Sequence, residues 1–268
     1  MGSDLSKILK HGRTVEVLKT LQIEPKKRQE LEEVLSITTS HLSQILKRLE
    51  QQHLVKREGD TVHISPKGEI LLRAYCVNQR FSKFLQNFGD FMNDFDISDI
   101  PDWLISRLYE LDSIDVVETQ SDFLEPHNEF FSVLDQTVEI RGYTPVFFRE
   151  HVDFFLKIAE EGVEMEIIVS EEIFRKILNE FPGEIQRGIS LNNVGFYVSK
   201  RKFKFAFIVT ESILSISFYL RTGVFDYKRD FLCRGSDAVR WGNDLFEYVR
   251  RGSEPIDRQK LKELLRNQ

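Results

Sequence analysis

Residues 38–65, TTSHLSQILKRLEQQHLVKREGDTVHIS, change within a few positions from a helical pattern of apolar residues to an alternating, strand-like one. In the helical part, Leu42, Ile45, Leu46 and Leu49 recur at the spacing that places side chains on one narrow stripe. The rest of this helix surface carries Ser, His, Gln, Lys and Arg rather than the Glu and Lys mixture of an ordinary solvated face. The stretch must therefore pack along its stripe and offer hydrogen-bonding and cationic groups on its other side.

The segments around this stretch complete a small module. Residues 14–21 and 26–35 have helical apolar spacing, and residues 54–58 and 61–65 alternate around a Glu-Gly-Asp turn that is typical of a hairpin. Three helices followed by a two-stranded hairpin are the order of a winged helix-turn-helix, which places its third helix in the major groove of DNA. The turn before the third helix has no glycine, which departs from the usual helix-turn-helix pattern.

Eight side chains are predicted to contact DNA. They are Ser40, His41, Ser43, Gln44, Lys47 and Arg48 on the third helix, and Lys56 and Arg57 on the hairpin. An amide such as that of Gln44 can bind adenine with two hydrogen bonds. Because alternate residues of a strand point to opposite faces, only one of the two hairpin cations is expected to make a close phosphate contact. A third helix that simply faces water is the alternative interpretation.

The distribution of charge agrees with a polyanionic partner for the first part of the chain. Residues 1–75 hold 13 Lys and Arg against 10 Asp and Glu, whereas the remainder holds 24 against 33. We find no apolar run long enough to span a membrane and no signal peptide, so the sequence predicts a cytoplasmic protein. Cys76 and Cys233 are far apart and are predicted to be structural thiols, and neither a metal site nor a cofactor is expected.

The remainder of the chain begins with a long or broken Phe-rich helix and continues as an α/β pattern. The helix, residues 69–96, is interpreted as one that joins domains or pairs subunits, and an internal core helix is the alternative. Predicted strands at 114–118, 137–141 and 164–170 alternate with predicted helices at 126–135, 147–161 and 171–181, and VGFYVSK, KFAFIVT, SILSISFYL and a helix at 235–253 follow. The predicted fold class is α+β overall, with an N-terminal winged helix-turn-helix and then an α/β domain with a mixed sheet. The predicted domains are residues 1–75, a helical linker at 76–110 that is a candidate dimer helix, and residues 111–268.

Sequence motifs for catalysis are missing. The chain contains no G-x-S-x-G, no Walker lysine loop and no G-x-G-x-x-G. The carboxylates of Glu118, Asp122 and Glu125 have no spacing that defines an acid/base pair and are better explained as solvated surface. We therefore predict that the protein is not an enzyme.

Three short segments resemble a known family. Residues 142–146 (GYTPV), 229–233 (RDFLC) and 241–246 (WGNDLF) are similar to the sensor domain of the archaeal methanogenesis-regulator family, in which that domain follows a winged helix-turn-helix. The resemblance covers nearly the whole chain. It implies a transcription regulator that acts on genes of methanogenic metabolism.

The second half is also similar to a phospholipase D-like half-domain. That family carries His-x-Lys-x4-Asp on a strand, and here Phe203, Phe205 and Thr210 stand at the corresponding positions, so the resemblance implies a pocket without the nucleophilic imidazole. The predicted effector site adds Tyr143 and Thr144 at a strand end, together with Arg141 or Arg221 as a cationic anchor. An apolar lining with a few hydroxyls suits a small organic or carboxylated metabolite. Plain core packing of the aromatic residues is the alternative.

The sequence thus predicts a sequence-specific, double-stranded-DNA-binding transcription regulator, a homodimer controlled by a small effector or partner bound to its second half. One alternative is a degenerate phosphodiesterase or nuclease, which turnover of a phosphodiester would reveal. Another is a protein-interaction module whose winged helix binds protein, which the absence of salt-dependent DNA binding would favour.

Overall fold

The structure is a computed structural model that describes residues 12–111, 113–118, 134, 137–147 and 149–266, without the side chain at position 150. The chain divides into two compact units, Met1–Ser82 and Lys83–Gln268. The predicted division into three parts stays a prediction, and the predicted helix at 126–135 lies outside the described residues except for position 134. Within the described part of the chain, no helix is long and apolar enough to cross a membrane.

The first unit has the predicted order of three helices and a hairpin. Its elements are α1 (Gly12–Ile23), β1 (Lys26–Lys27), α2 (Arg28–Leu35), α3 (Thr39–Gln51), β2 (Val55–Glu58), β3 (Thr61–Ile64) and α4 (Pro66–Met92), which continues into the second unit. The strands form an antiparallel sheet in the order β1-β3-β2. The sequence pattern missed β1, because two consecutive lysines show no strand-like alternation.

The core of the first unit confirms the apolar stripe of α3. Leu42, Ile45, Leu46 and Leu49 are all buried, together with residues of α1, α2 and the hairpin. The helical apolar spacing of residues 26–35 also predicts Val34 on the buried side of α2, together with Leu31 and Leu35, but Val34 is 61% exposed. The buried arc of that two-turn helix centres between Leu31 and Leu35, and at about 100° per residue Val34 lies roughly 80° away from the centre.

The turn between α2 and α3 works without glycine because Ser36 adopts the left-handed conformation, with φ 51° and ψ 48°. The backbone amides of Ser36 and Ile37 donate to the carbonyls of Glu33 and Glu32, each at 3.2 Å. These bonds satisfy carbonyl groups that the helix end would otherwise leave unpaired.

Ser36→Gly is expected to raise the free energy of unfolding of the first unit by roughly 0.5–1 kcal/mol, since the left-handed region strains any residue with a Cβ atom. Urea denaturation followed by circular dichroism measures the change. Ser190→Gly is the matched control, because Ser190 also ends a helix but has a φ of −83°. Ser190→Gly should lower the free energy of unfolding. If both variants raised it, relief of left-handed backbone strain at Ser36 would not be the cause.

The described part of the second unit combines eight strands with flanking helices. Its elements are, in chain order, α5 (Asp102–Ile105), a 3₁₀ turn (Leu108–Leu111), β4 (Ile114–Glu118), β5 (Glu139–Thr144), α6 (Arg149–Glu160), β6 (Glu164–Ser170), α7 (Glu171–Glu180), α8 (Pro182–Ile189), β7 (Val194–Ser199), β8 (Phe205–Thr210), β9 (Ile213–Phe218), β10 (Arg229–Arg234), α9 (Ser236–Arg251), β11 (Ser253–Pro255) and α10 (Arg258–Arg266). The sheet order is β11-β7-β6-β5-β8-β9-β10-β4. Neighbours β5, β6 and β7 run parallel and the other pairs antiparallel, which confirms the mixed sheet.

Both faces of this sheet are packed. On one face lies α9, whose Gly242 lets the helix approach closely: an added Cβ would lie 2.9 Å from the Leu214 side chain and 3.1 Å from that of Val209. The indole of Trp241 is buried beside it and donates to the carbonyl of Leu104 at 3.1 Å. Residues of α6 pack on the opposite face, against the β5 and β6 strands.

Strand β5 differs from its predicted extent. The sequence pattern placed it at 137–141 with Tyr143 and Thr144 in the loop after it, which is wrong because the strand runs from Glu139 to Thr144. Tyr143 pairs with Ile168 of β6 and with Phe207 of β8, so it belongs to the interior of the sheet.

Candidate nucleic-acid interface

The outer side of α3 is an exposed polar surface on a firmly packed helix. The helix is capped by Thr38, whose hydroxyl accepts from the amide of His41 at 3.3 Å. Five of the six predicted residues of α3 are exposed, namely Ser40, His41, Gln44, Lys47 and Arg48. Burial of the opposite stripe fixes the rotation of the helix, so these side chains point together into solvent.

Ser43 is placed differently from the other five. Its hydroxyl accepts from the guanidinium of Arg28 on α2 and donates to the carbonyl of Thr39 at 2.6 Å. Arg28 also donates to that carbonyl at 3.1 Å and forms an ion pair with Glu32 at 3.3 Å. The hydroxyl of Ser43 thus ties α3 to α2, and its contact with DNA stays a prediction.

The two cations of the hairpin are separated by the strand alternation. Arg57 pairs across the sheet with the buried Val62, and its Nε atom lies 2.9 Å from a carboxylate oxygen of Glu50 on α3. Lys56 lies on the other face, directly across from His63. The hairpin therefore presents Lys56 and His63 on its outer face, while Arg57 reaches back to α3.

Sequence reasoning missed His63, although the signal was present. In the strand TVHIS the buried Val62 fixes which side faces the core, and the next residue must then point outward. Its Nε2 atom lies 3.7 Å from a carboxylate oxygen of Glu58. The turn that joins the two strands uses Gly59 at a φ of 61°.

In the second unit, three of the predicted effector residues lie together. Tyr143, Phe203 and Phe205 are buried, with ring centroids 5.4 Å apart for Tyr143 and Phe203, 5.8 Å for Tyr143 and Phe205, and 5.3 Å for the two phenylalanines. The Tyr143 hydroxyl accepts from the amide of Phe203 at 2.9 Å. Burial raises the pKa of the Tyr143 phenol well above its usual range, which keeps it neutral. We call these three residues the aromatic cluster.

Arg141 lies on the same side of β5 as Tyr143, but its guanidinium is already bound. It donates to Glu166 at 3.0 Å and to the side-chain oxygen of Asn243 at 2.8 Å, and it also pairs with Glu139. A ligand would have to displace these acceptors before Arg141 could anchor it.

The other predicted effector residues lie apart from the aromatic cluster. Thr210 pairs with Ile140, which points to the opposite face of β5 from Tyr143, and its hydroxyl accepts from two amides of the β8–β9 turn at 3.2 Å. Thr144 donates to the carbonyl of Val146 at 2.8 Å. Arg221 is exposed in the loop after β9. Their role in binding an effector stays a prediction.

The structure adds a cation that sequence reasoning missed. The guanidinium of Arg201 lies 4.7 Å from the ring centroid of Phe203. It also binds Asp99 at 2.5 Å. The basic run at 200–204, KRKFK, was a visible signal next to the predicted pocket strand.

Neither cysteine takes part in a disulfide: Cys76 is half-buried and Cys233 is buried. Burial raises the pKa of the Cys233 thiol, so it stays protonated. Within the described ranges, no group of three or more His, Cys, Asp or Glu side chains could hold a metal ion.

Comparisons with known proteins agree with this architecture. Residues 123–252 match the family described as "Methanogenesis regulatory protein FilR1, middle domain", and residues 11–68 match a winged helix DNA-binding domain. The methanogenesis regulatory protein FilR1 of Methanothrix harundinacea (strain 6Ac) is 25% identical over 246 residues, which are 89% of this chain and 54% of the relative. The chain thus spans about half the length of that relative. The resemblance to the methanogenesis-regulator family is confirmed.

The solved structures that resemble this chain are less similar to it in sequence. TrmBL2, described as an archaeal chromatin protein, has a TM-score of 0.45 at 12% identity and covers 91% of this chain and 92% of its own. The phospholipase D family member Nuc from Salmonella typhimurium has a TM-score of 0.39 at 10% identity, with 54% and 98% covered. Phosphatidylserine synthase from Haemophilus influenzae has a TM-score of 0.39 at 11% identity, with 57% and 44% covered.

Proposed function

We propose that the chain, whose residues 11–68 match a winged helix DNA-binding domain and whose residues 123–252 match the middle domain of the methanogenesis regulatory protein FilR1, is a sequence-specific transcription regulator. The observation that carries the proposal is the outer side of α3, where exposed amide, hydroxyl and cationic groups stand on a helix fixed by a buried stripe. Such a surface fits the donor and acceptor pattern of the major groove. The experiment is footprinting on genomic fragments followed by salt-dependent binding measurements, and the absence of any preferred site would contradict the proposal.

Within this proposal, Gln44 reads a base and Lys47 binds phosphate. Gln44→Ala should reduce discrimination between operator and mutated operator by roughly 1–3 kcal/mol, since an amide bound to adenine by two hydrogen bonds is lost. Lys47→Ala should weaken all DNA alike and lower the salt slope by about one. Fluorescence anisotropy with labelled duplexes at several salt concentrations separates the two effects. Lys19→Ala, an exposed lysine of α1, is the control.

On the hairpin, Lys56 is expected to make the phosphate contact and Arg57 to support the recognition helix. Lys56→Ala should weaken specific and non-specific DNA binding equally, because phosphate contacts carry no sequence information. Arg57→Ala breaks its pair with Glu50, so it should disturb α3 as well as reduce charge. Equal salt slopes for the parent and Lys56→Ala would show that the lysine does not touch DNA.

We place a homodimer contact on α4. Ile70 is 70% exposed and Val77 is 40% exposed, one heptad apart, with the exposed Ala74 between them. A second copy of the same helix would cover this stripe and provide the twofold symmetry that palindromic half-sites require. Analytical ultracentrifugation of the Ile70→Asp, Val77→Asp double variant should show monomer. Ile23→Asp, at an 84% exposed position of α1, should leave the dimer intact, and an unchanged mass in both would contradict the contact.

Effector control is the last part of the proposal and is placed in the second unit. The aromatic cluster, with a guanidinium stacked on its edge, supports a small ligand that has an apolar body and an anionic group. Its test is a change in DNA affinity when small carboxylated compounds are added to the full chain. Tyr143→Phe keeps the ring packing but leaves the buried amide of Phe203 without its acceptor, so it should alter the response to ligand at a cost of about 1–3 kcal/mol of stability.

A further inference from the structure

Asp99 lies in a site that is shaped for a carboxylate. One of its oxygens accepts from the guanidinium of Arg201 at 2.5 Å, and the other accepts from the backbone amide of Lys204 at 2.9 Å. The side chain of Asp99 is only 13% exposed. A guanidinium and a backbone amide that share one carboxylate form a charge-assisted arrangement of the kind that also binds external oxyanions.

The surroundings of Arg201 hold its guanidinium in place. It lies over the ring of Phe203, and it is 3.3 Å from the hydroxyl of Tyr248 on α9. The rings of Phe203 and Tyr248 are 5.9 Å apart, and Phe203 contacts Tyr143 edge to face. The cation is thus positioned by aromatic side chains, and the carboxylate bound to it lies at the edge of the aromatic cluster.

The neighbouring acid Asp96 is bound in a different way. Its carboxylate accepts from the ammonium of Lys204 at 2.6 Å and from Ser98 of its own loop. These contacts lower the pKa of Asp96 to about 2, with the Lys204 hydrogen bond as the largest cause. Asp96 makes an ion pair at the surface of the unit, whereas the less exposed Asp99 carboxylate is shared between a guanidinium and a backbone amide.

We propose that the donors of Arg201 and Lys204 form the effector site for a small oxyanion, a carboxylate or a phosphate, and that Asp99 is its internal occupant. The proposal rests on the effector control proposed above and names its ligand class and anchor. Asp99 is tethered, so it competes at an effective concentration on the order of millimolar. A simple anion therefore displaces it only at higher concentrations, whereas a ligand with an apolar body that also contacts Tyr248 beside Arg201 can displace it at lower ones.

Displacement of Asp99 would act on the loop that connects α4 to α5. Residues 93–101 follow α4 directly, and α4 begins at Pro66 in the first unit. The loop is attached to the rest of the second unit by a backbone bond from the amide of Asp96 to the carbonyl of Tyr219 at 2.8 Å, and by the carboxylates of Asp94, Asp96 and Asp99. Removing one of these carboxylates from its site loosens the segment at the end of α4.

The experiment removes the internal occupant and measures anion binding to the full chain. Sodium acetate and sodium phosphate are titrated calorimetrically at an ionic strength kept constant with chloride. Asp99→Asn should bind one of these anions roughly tenfold or more tightly than the parent, since the tethered competitor is gone. The acetate and phosphate arms tell which oxyanion the site prefers. Asp96→Asn is the matched control and should bind as weakly as the parent.

Arg201→Met in the Asp99→Asn background should abolish the gained binding. If Asp99→Asn and Asp96→Asn bind both anions equally, the site is not an anion site and the proposal is overturned.

A second measurement, hydrogen exchange, is made on the parent protein and is therefore valid even if the Asp99→Asn variant does not fold. Hydrogen exchange of residues 93–101 in the parent should rise severalfold in concentrated acetate or phosphate relative to chloride. In Arg201→Met it should be high from the start and insensitive to the anion, and an anion-independent exchange rate in the parent would overturn the proposal. Neither measurement uses DNA, so a chain that binds no DNA would contradict the proposed function and leave the anion site to be judged on its own.

Discussion

Gly68→Ala is expected to unfold the winged helix domain while the second unit stays folded. Gly68 lies in the first turn of α4, where an added Cβ atom would lie 2.2 Å from the carbonyl oxygen of Leu54 and 2.9 Å from the Cγ1 atom of Ile64. That carbonyl accepts from the amide of Ser65 at 2.9 Å, so it cannot move away alone. Because the clash is with backbone, no change of rotamer relieves it, and we expect a loss of about 3 kcal/mol or more.

The chain offers both a control and a selective readout for this variant. Gly89 lies in the same helix with its nearest atom at 4.0 Å, so Gly89→Ala should be neutral or stabilising by roughly 0.5–1 kcal/mol. Both tryptophans, Trp103 and Trp241, belong to the second unit. Gly68→Ala should therefore lose helical circular dichroism and DNA binding while its tryptophan fluorescence stays native. A variant with the denaturation curve of the parent would show that the helix start can shift.

Much of the first unit followed from its sequence because the information there is local. The stripe from Leu42 to Leu49 specifies a helix and its buried side at once, and the hairpin alternates cleanly around Gly59. The features that the sequence did not predict depend on contacts between different elements. The strand β1 exists only because Lys26 and Lys27 pair with β3, and the role of Ser43 depends on Arg28 of another helix. No local pattern encodes such partners.

The second unit was harder to predict because its sheet is mixed and buried on both faces. β10 was not predicted as a strand, since Arg229 and Asp230 interrupt its apolar run. In the structure Asp230 is buried and accepts from the hydroxyls of Ser215 and Ser217 at 2.5 and 2.7 Å, so an acidic residue lies inside a strand that is paired on both sides. Similarly, the sequence shows that Arg141 is a cation, but it cannot show that three acceptors already bind its guanidinium.

Sheet pairing decides which of the predicted effector residues lie close together. Tyr143, Phe203 and Phe205 meet because β5 and β8 are neighbouring strands of the sheet. Thr210 lies on the other face of the sheet because it pairs with Ile140. Ile140 is three residues before Tyr143 on the same strand, and residues an odd number of positions apart on a strand point to opposite faces. The register that decides this is not visible until both strands are paired.

Arg107→Ala should strongly destabilise the second unit. The guanidinium of Arg107 donates twice to the carboxylate of Glu110, at 2.9 and 2.8 Å, and once to Asp244 at 2.7 Å. The Glu110 side chain is only 7% exposed, and these bonds raise the pKa of Arg107 above its usual range, with the bond to Glu110 as the largest cause. Removing the cation leaves a buried carboxylate without its main partner, a change that costs about 3–5 kcal/mol.

Two further variants separate the loss of a partner from the value of the pair. Arg240 also reaches Glu110, at 3.4 Å, but is more than half exposed, so Arg240→Ala should cost less than about 1 kcal/mol. In the double variant Arg107→Met, Glu110→Leu no buried charge remains, and replacing a buried pair by apolar side chains of similar size is often neutral. We expect it to recover most of the stability lost in Arg107→Ala, as measured by urea denaturation followed through tryptophan fluorescence. If the double variant is as unstable as Arg107→Ala, the ion pair itself stabilises this unit, and the penalty does not arise from an unpaired carboxylate.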